Sequence, residues 1–126
     1  MPYSLIRAAN AHPAPTLAVD LPSGLDGTSG EPYDPCVVAE RTLTLALPKT
    51  GLLRPGARRV VGSLAVADIG MPPEAFAAIG LAIGPVFGRG EVVEVHPDPV
   101  VGRSDGGWRC DPDADGERPG TMGVPI

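Results

Sequence analysis

The sequence predicts an α/β domain built on a parallel sheet with flanking helices, and three observations carry that prediction. Short, almost wholly apolar runs occur at residues 17–20 (LAVD), 42–47 (TLTLAL) and 63–68 (SLAVAD). Runs of this kind read as strands covered on both faces, which is the habit of parallel sheets. The stretches between them are long enough for crossovers and hold helix-like segments, the alternating order of an α/β fold.

Each element follows from local chemistry. Residues 4–11 (SLIRAANA) predict the last turns of a helix with Leu5, Ala8 and Ala9 on one side. His12-Pro13-Ala14-Pro15 ends it, because proline disfavours helix at the residue before it. The first strand, 17–20, ends in an acid, and residues 21–30 are loop by their Gly, Pro, Ser and Asp. Residues 35–41 predict a short helix. The second strand, 42–47, is broken by Pro48-Lys49-Thr50-Gly51, and 52–62 is connection. The third strand, 63–68, also ends in an acid. Pro72-Pro73 opens a helix over 74–79, proline being tolerated at a helix start. Residues 91–95 read as an edge strand. Three parallel strands are too few for such a sheet, and the chain opens in mid-helix. The expectation is therefore an incomplete domain, its C-terminal half.

Composition divides the 126 residues in two. Gly and Pro number 17 and 16, which approaches the range of disordered sequence, yet 43% of residues are hydrophobic. Residues 1–88 carry a net charge of −1, whereas 89–126 carry −4 and hold 12 Gly or Pro. The expected organisation is a partial domain over 1–88 and a Gly/Pro/Asp-rich, disordered tail over 89–126. A net charge of −5 without a basic cluster beyond Arg58-Arg59 argues against a nucleic-acid partner. No apolar run approaches the roughly 20 residues of a membrane span. The N-terminus lacks the basic-then-apolar order of a signal peptide, so a cytoplasmic location is expected. Cys36 and Cys110 are expected to be free thiols there.

In an open α/β sheet, ligands collect outside the carboxyl ends of the strands. Three segments belong there: 20–26 (DLPSGLD), 48–51 (PKTG) and 68–70 (DIG). Asp20, at a strand tip among apolar neighbours, has two readings. Desolvation would raise its pKa toward the range useful for proton transfer; alternatively, Asp20 and Ser23 satisfy backbone N–H groups of a turn. Ser23 and the loop carbonyls offer hard oxygens that suit an alkali or alkaline-earth cation and not zinc. Lys49, the sole lysine, lacks the Gly-rich run of a P-loop and reads as a solvated turn residue. Asp68 reads as a turn acid. His12 and His96 stand isolated, and Trp108 is a stray aromatic in the acidic tail.

Residues 18–26 (AVDLPSGLD), followed by Thr28-Ser29-Gly30, resemble the AVDIPSGLD…TG signature of the NAD(P)H-hydrate epimerases, the YjeF N-terminal domain family. Thr42-Leu43-Thr44-Leu45 with 48–53 (PKTGLL) resembles that family's strand and PKPGLL segment, and 66–72 (VADIGMP) resembles its VADIGIP. The resemblance covers about residues 5–76. It implies a Rossmann-like fold and an isomerase that interconverts the R and S epimers of hydrated NADH or NADPH. It implies that Asp20 contacts the hydrated nicotinamide and serves in proton transfer at its hydroxyl-bearing carbon. It also implies that Ser23 is a ligand of a bound potassium ion, and it makes a homodimer an expected assembly.

The departures from the family pattern are Leu21 for Ile, Thr50 for Pro and Glu40 where Asp is frequent. The family's Gly/Asn-rich phosphate loop, which would precede this signature, has no counterpart among the 126 residues. Phosphate binding needs such backbone N–H groups, so the expectation is little epimerase activity from this chain alone, and completion by an N-terminal half. The rival readings are a non-catalytic partner module of the same fold and a truncated gene product.

Overall fold

The computed structural model describes residues 3–83, 86–87, 90–97 and 108–111. Helix α1 spans Tyr3–Ala11 and is followed by strand β1 at Leu17–Val19. Strand β2 is Arg41–Leu45 and β3 is Ser63–Ala67; between them lie two 3₁₀ turns, Thr50–Leu53 and Pro55–Ala57, and a one-turn helix α2 at Arg58–Val61. Helix α3 is Pro73–Ala77, and strands β4 and β5 are Val92–Pro97 and Trp108–Asp111.

The strands form one sheet in the order β1-β2-β3-β4-β5. The expected parallel core is present: β1 pairs with β2, Val19 opposite Leu43, and β2 pairs with β3, Leu43 opposite Ala65. Two antiparallel strands extend it, β4 against β3 and β5 against β4. β4 takes up the edge strand expected at residues 91–95, with β5 paired along its far side, and both lie beyond the boundary expected at residue 88, in the segment 89–126. The reason is local: in β4, Val93 and Val95 alternate with polar or exposed neighbours and bury to 3% and 4% exposure, a period-two pattern that segment-wide composition averages away. The rest of that segment, residues 98–107 and 112–126, lies outside the described residues.

One sheet face makes most of the core, with Ala65 of β3 buried on the other. Ala18, Thr42, Thr44, Leu64, Val66, Val93 and Val95 turn inward, and Leu52, Ala57, Val60 and Val61 from the β2–β3 connection pack over them with Leu25 and Cys36. Two threonines thus sit fully buried in an apolar layer. Thr42 donates its hydroxyl to the Val61 carbonyl at 2.7 Å, which meets the requirement that a buried hydroxyl be bonded. The opposite face leaves Leu17 and Val19 of the edge strand 56% and 61% exposed.

The helix expected over 35–41 does not form; the segment is irregular until β2 begins at Arg41. Its amides are bonded elsewhere: Val37 N–H to the Ser23 carbonyl at 2.8 Å, Ala39 N–H to the Val60 carbonyl at 2.9 Å, and Val38 N–H to Asn10 Oδ1 at 2.9 Å. Asn10 Nδ2 returns a bond to the Cys36 carbonyl at 2.8 Å. Four tertiary bonds replace the few that a single helical turn could make. Asn10→Ala is therefore expected to cost about 1 kcal/mol, the net worth of a typical intramolecular hydrogen bond, and to speed hydrogen exchange at the Val38 amide above that of its neighbours.

Gly62 joins α2 to β3 at φ 64°. A Cβ there would lie 2.2 Å from the Glu40 carbonyl oxygen and 2.4 Å from its carbon, whereas a Cβ at Gly56 meets nothing within 4 Å. Gly62→Ala is expected to destabilise by about 2 kcal/mol or more, combining a left-handed backbone with a main-chain clash. Gly56→Ala is expected to leave the melting temperature within a few degrees of the parent in a thermal unfolding scan.

Candidate functional site

The carboxyl ends of β1 and β2 meet at Asp20. Pairing continues one residue past β1, the Asp20 N–H donating to the Leu43 carbonyl at 2.8 Å. Asp20 then takes a left-handed backbone, φ 71°, which aspartate tolerates better than most residues but at a cost of about 1 kcal/mol. The turn swings its side chain back over the end of β2. There Asp20 Oδ1 receives the Lys49 ammonium in a direct ion pair and, at 3.4 Å each, the Leu45 N–H and the Thr44 hydroxyl.

Lys49 is delivered by a second left-handed residue. Ala46, at φ 62°, reverses the chain after β2, and Lys49 Nζ comes back to donate to the Leu45 carbonyl at 3.2 Å and to Thr44 Oγ1 at 3.3 Å. Lys49 is therefore not the solvated turn residue expected from sequence. It is half-buried and gathers three oxygens from two strands. The signal for it was available: a sole lysine directly after an apolar strand.

The electrostatics also correct an expectation. Of the two readings of Asp20, the one in which desolvation raises its pKa does not hold; its carboxyl is lowered. The hydrogen bond from Lys49 is the largest influence and lowers it, burial pulls the other way, and the Lys49 charge, the Leu45 N–H and the Thr44 hydroxyl reinforce the lowering. The strand tip is open enough, with Asp20 at 42% side-chain exposure, that desolvation loses to pairing.

The loop after Asp20 is held by its own bonds. Asp26 Oδ1 accepts the Ser29 N–H at 2.7 Å and the Thr28 N–H at 2.9 Å, which together hold its carboxyl below the usual range. Gly51 N–H donates to the Gly27 carbonyl at 2.8 Å, tying the 48–51 turn to this loop. A Cβ on Gly51 would lie 2.4 Å from the Asp26 carbonyl oxygen, so only glycine allows that approach. Ser23 stands exposed on the same loop, three residues from Asp20, with its carbonyl taken by the Val37 N–H at 2.8 Å. Ser23 has no described bond to the Asp20 cluster. Asp68 caps its own turn, accepting the Gly70 N–H at 2.8 Å, and takes no part in it.

Other chemistry is sparse. Among the described residues no three His, Cys, Asp or Glu side chains gather as a metal centre, and no helix is long and apolar enough to cross a membrane. Cys36 is a buried free cysteine whose thiol is pushed up by burial against the weaker pull of Arg59, the opposite of an activated nucleophile.

Comparison with known proteins bears on this site directly. Residues 2–51, which include Asp20, Ser23 and Lys49, match the family described as YjeF-related protein N-terminus. The chain is 52% identical over 75 residues to a bifunctional NAD(P)H-hydrate repair enzyme of Pyrobaculum aerophilum, covering 60% of this chain and 15% of that protein. It is 48% identical over 73 residues to the enzyme of the same name in Moorella thermoacetica, covering 57% and 14%. With an NAD(P)H-hydrate epimerase of Rhodopirellula baltica it shares 41% over 70 residues, covering 56% of this chain and 29% of the relative. The chain thus spans less than a third of the length of these curated relatives. The similarity to the YjeF-related N-terminal family thus lies over residues 2–51, with Asp20 and its loops inside it.

Proposed function

We propose that the chain carries part of the active site of an NAD(P)H-hydrate epimerase, an isomerase that interconverts the R and S epimers of hydrated NADH or NADPH in nicotinamide-nucleotide repair. The observation that carries this reading is the Asp20 carboxylate, presented at the carboxyl end of paired parallel strands within the family-matched residues. That is where an open α/β sheet binds ligands. The names of the relatives, NAD(P)H-hydrate epimerase and repair enzyme, support the substrate class.

Inverting a hydroxyl-bearing carbon requires a bond at that carbon to be broken and remade on its other face. A group that takes up a proton and returns it serves both directions. Asp20 is the residue for that role. Its lowered pKa keeps it ionised over the neutral range, the form that takes up a proton, and makes it a weaker base than an unpaired aspartate.

Ser23 is proposed as a ligand of a potassium ion. The fit rests on donor chemistry: Ser23 presents an exposed hydroxyl, a hard oxygen that suits an alkali cation, while its own carbonyl and those of Pro22, Gly24 and Asp26 accept backbone N–H groups. Such an ion, when bound, supplies positive charge near an anionic dinucleotide. The exposed Leu17 and Val19 on edge strand β1 support completion of the site by the remainder of an epimerase domain, or by a second copy of the chain, at this edge. A cytoplasmic setting fits repair of a soluble cofactor.

The test is epimerisation of a resolved hydrate epimer, followed by chromatography, with the chain alone and with a polypeptide supplying the phosphate loop. Little turnover is expected alone and rapid equilibration on completion. A complete protein that leaves the epimers unequilibrated would sink the reading. In the active form, Asp20→Asn is expected to lower kcat by about 10²–10⁴-fold, the usual share of a proton-transfer group. Because the Asp20 carboxyl is lowered, kcat/KM is expected to stay level down through the ordinary aspartate range and fall only at more acid pH. For the cation, Ser23→Ala is expected to weaken thallium(I) binding seen by ²⁰⁵Tl NMR and to raise the potassium needed for half-maximal activity.

A further inference from the structure

Lys49 lies outside the roles drawn above, and its contacts are those of a residue that orients another. One ammonium bridges the Asp20 carboxylate, the Thr44 hydroxyl and the Leu45 carbonyl. Thr44 is fully buried and its hydroxyl, receiving from Lys49, lies 3.4 Å from the same Asp20 oxygen. All three contacts of Asp20 converge on Oδ1. The described contacts leave Oδ2 to whatever binds outside the strand tip.

We propose that Lys49 is the positioning residue of this site: it clamps Oδ1 of Asp20 against the end of β2 so that Oδ2 is presented, in one orientation, to the reacting carbon. This rests on the epimerase reading above. A stability role is the weaker account, since the two side chains are 33% and 42% exposed and exposed pairs contribute little. Orientation is what the bridge adds. Asp20 has a strained backbone and, without Lys49, two long hydrogen bonds to hold its carboxyl, and misplacement by about 1 Å costs a catalytic group about 10²-fold. The charged group facing Asp20 is Lys49; its other neighbours here are the neutral Leu45 N–H and Thr44 hydroxyl.

The sole lysine of the chain gives a single side-chain amine resonance to follow. The experiment titrates the Lys49 ¹⁵Nζ signal and the Asp20 carboxyl ¹³C signal of the 126-residue chain by NMR, then repeats the Asp20 titration in Lys49→Met and Lys49→Arg. The expected result is one shared midpoint in the unaltered chain, a raised Asp20 midpoint in Lys49→Met, and its recovery in Lys49→Arg. In a completed epimerase, Lys49→Met is expected to lower kcat about 10²-fold with KM little changed, and Lys49→Arg to restore most of it. A Lys49 signal indifferent to the titration of Asp20 overturns the proposal even if Lys49→Met does not fold. So does an Asp20 midpoint unmoved in a folded Lys49→Met, whether or not hydrated nucleotide is epimerised. Absence of epimerisation with the coupling intact overturns the epimerase reading instead.

Discussion

Parallel pairing of β1 with β2, in the register that sets Val19 opposite Leu43, carries β2 two residues past the end of β1, and the features of the site depend on that offset. Asp20 can bond the Leu43 carbonyl, turn, and lay its carboxylate across the end of β2 because the neighbouring strand stops within a residue or two of its own. A slip of one residue would exchange the two faces of β1. It would send Ala18 out of the core and carry Asp20 away from Thr44. The register is secured by burial: Ala18, Thr42 and Thr44 must all face the same apolar layer.

Two left-handed residues that are not glycine, Asp20 and Ala46, flank this meeting point. Strain of about 1–3 kcal/mol at such positions persists only where surrounding structure over-determines it. Here the surrounding bonds are explicit. Asp20 is held by Leu43 before the turn and by Lys49 after it, and Ala46 donates its N–H to the Ala67 carbonyl at 3.0 Å. The ion pair that spans the two turns contributes about as little as a surface pair does, comparable to the strain it offsets. Its significance lies in geometry more than in stability.

The segment at 35–41 shows how tertiary bonding overrides local preference. Its sequence is short and without strong breakers after Pro35, so a helical turn is a fair local reading. Four bonds to α1, the 20–30 loop and the β2–β3 connection outcompete it. β4 is the opposite case, a strand that its local alternation already predicts at residues 91–95. Composition marks residues 89–126 as a poor core former, yet Val93 and Val95 need only a neighbouring strand edge, and β3 offers one.

Sequence alone determined the α/β class, the positions of the three parallel strands to within a residue or two, a further strand near 91–95, and α1 and α3, and it singled out Asp20 and Ser23 as candidates. These are legible because apolar runs and Pro/Gly breaks act locally, and because the AVDLPSGLD and PKTGLL segments stand in a recognisable order. The tertiary structure alone decided which face of Thr42-Leu43-Thr44-Leu45 turns inward, and it chose the threonines, since Val61 and the Asp20–Lys49 pair supply partners for their hydroxyls. It also decided the direction of the Asp20 pKa and the part played by Lys49. Both depend on a contact between residues 29 apart in the chain, and no local pattern encodes how far a turn carries an ammonium back toward a carboxylate.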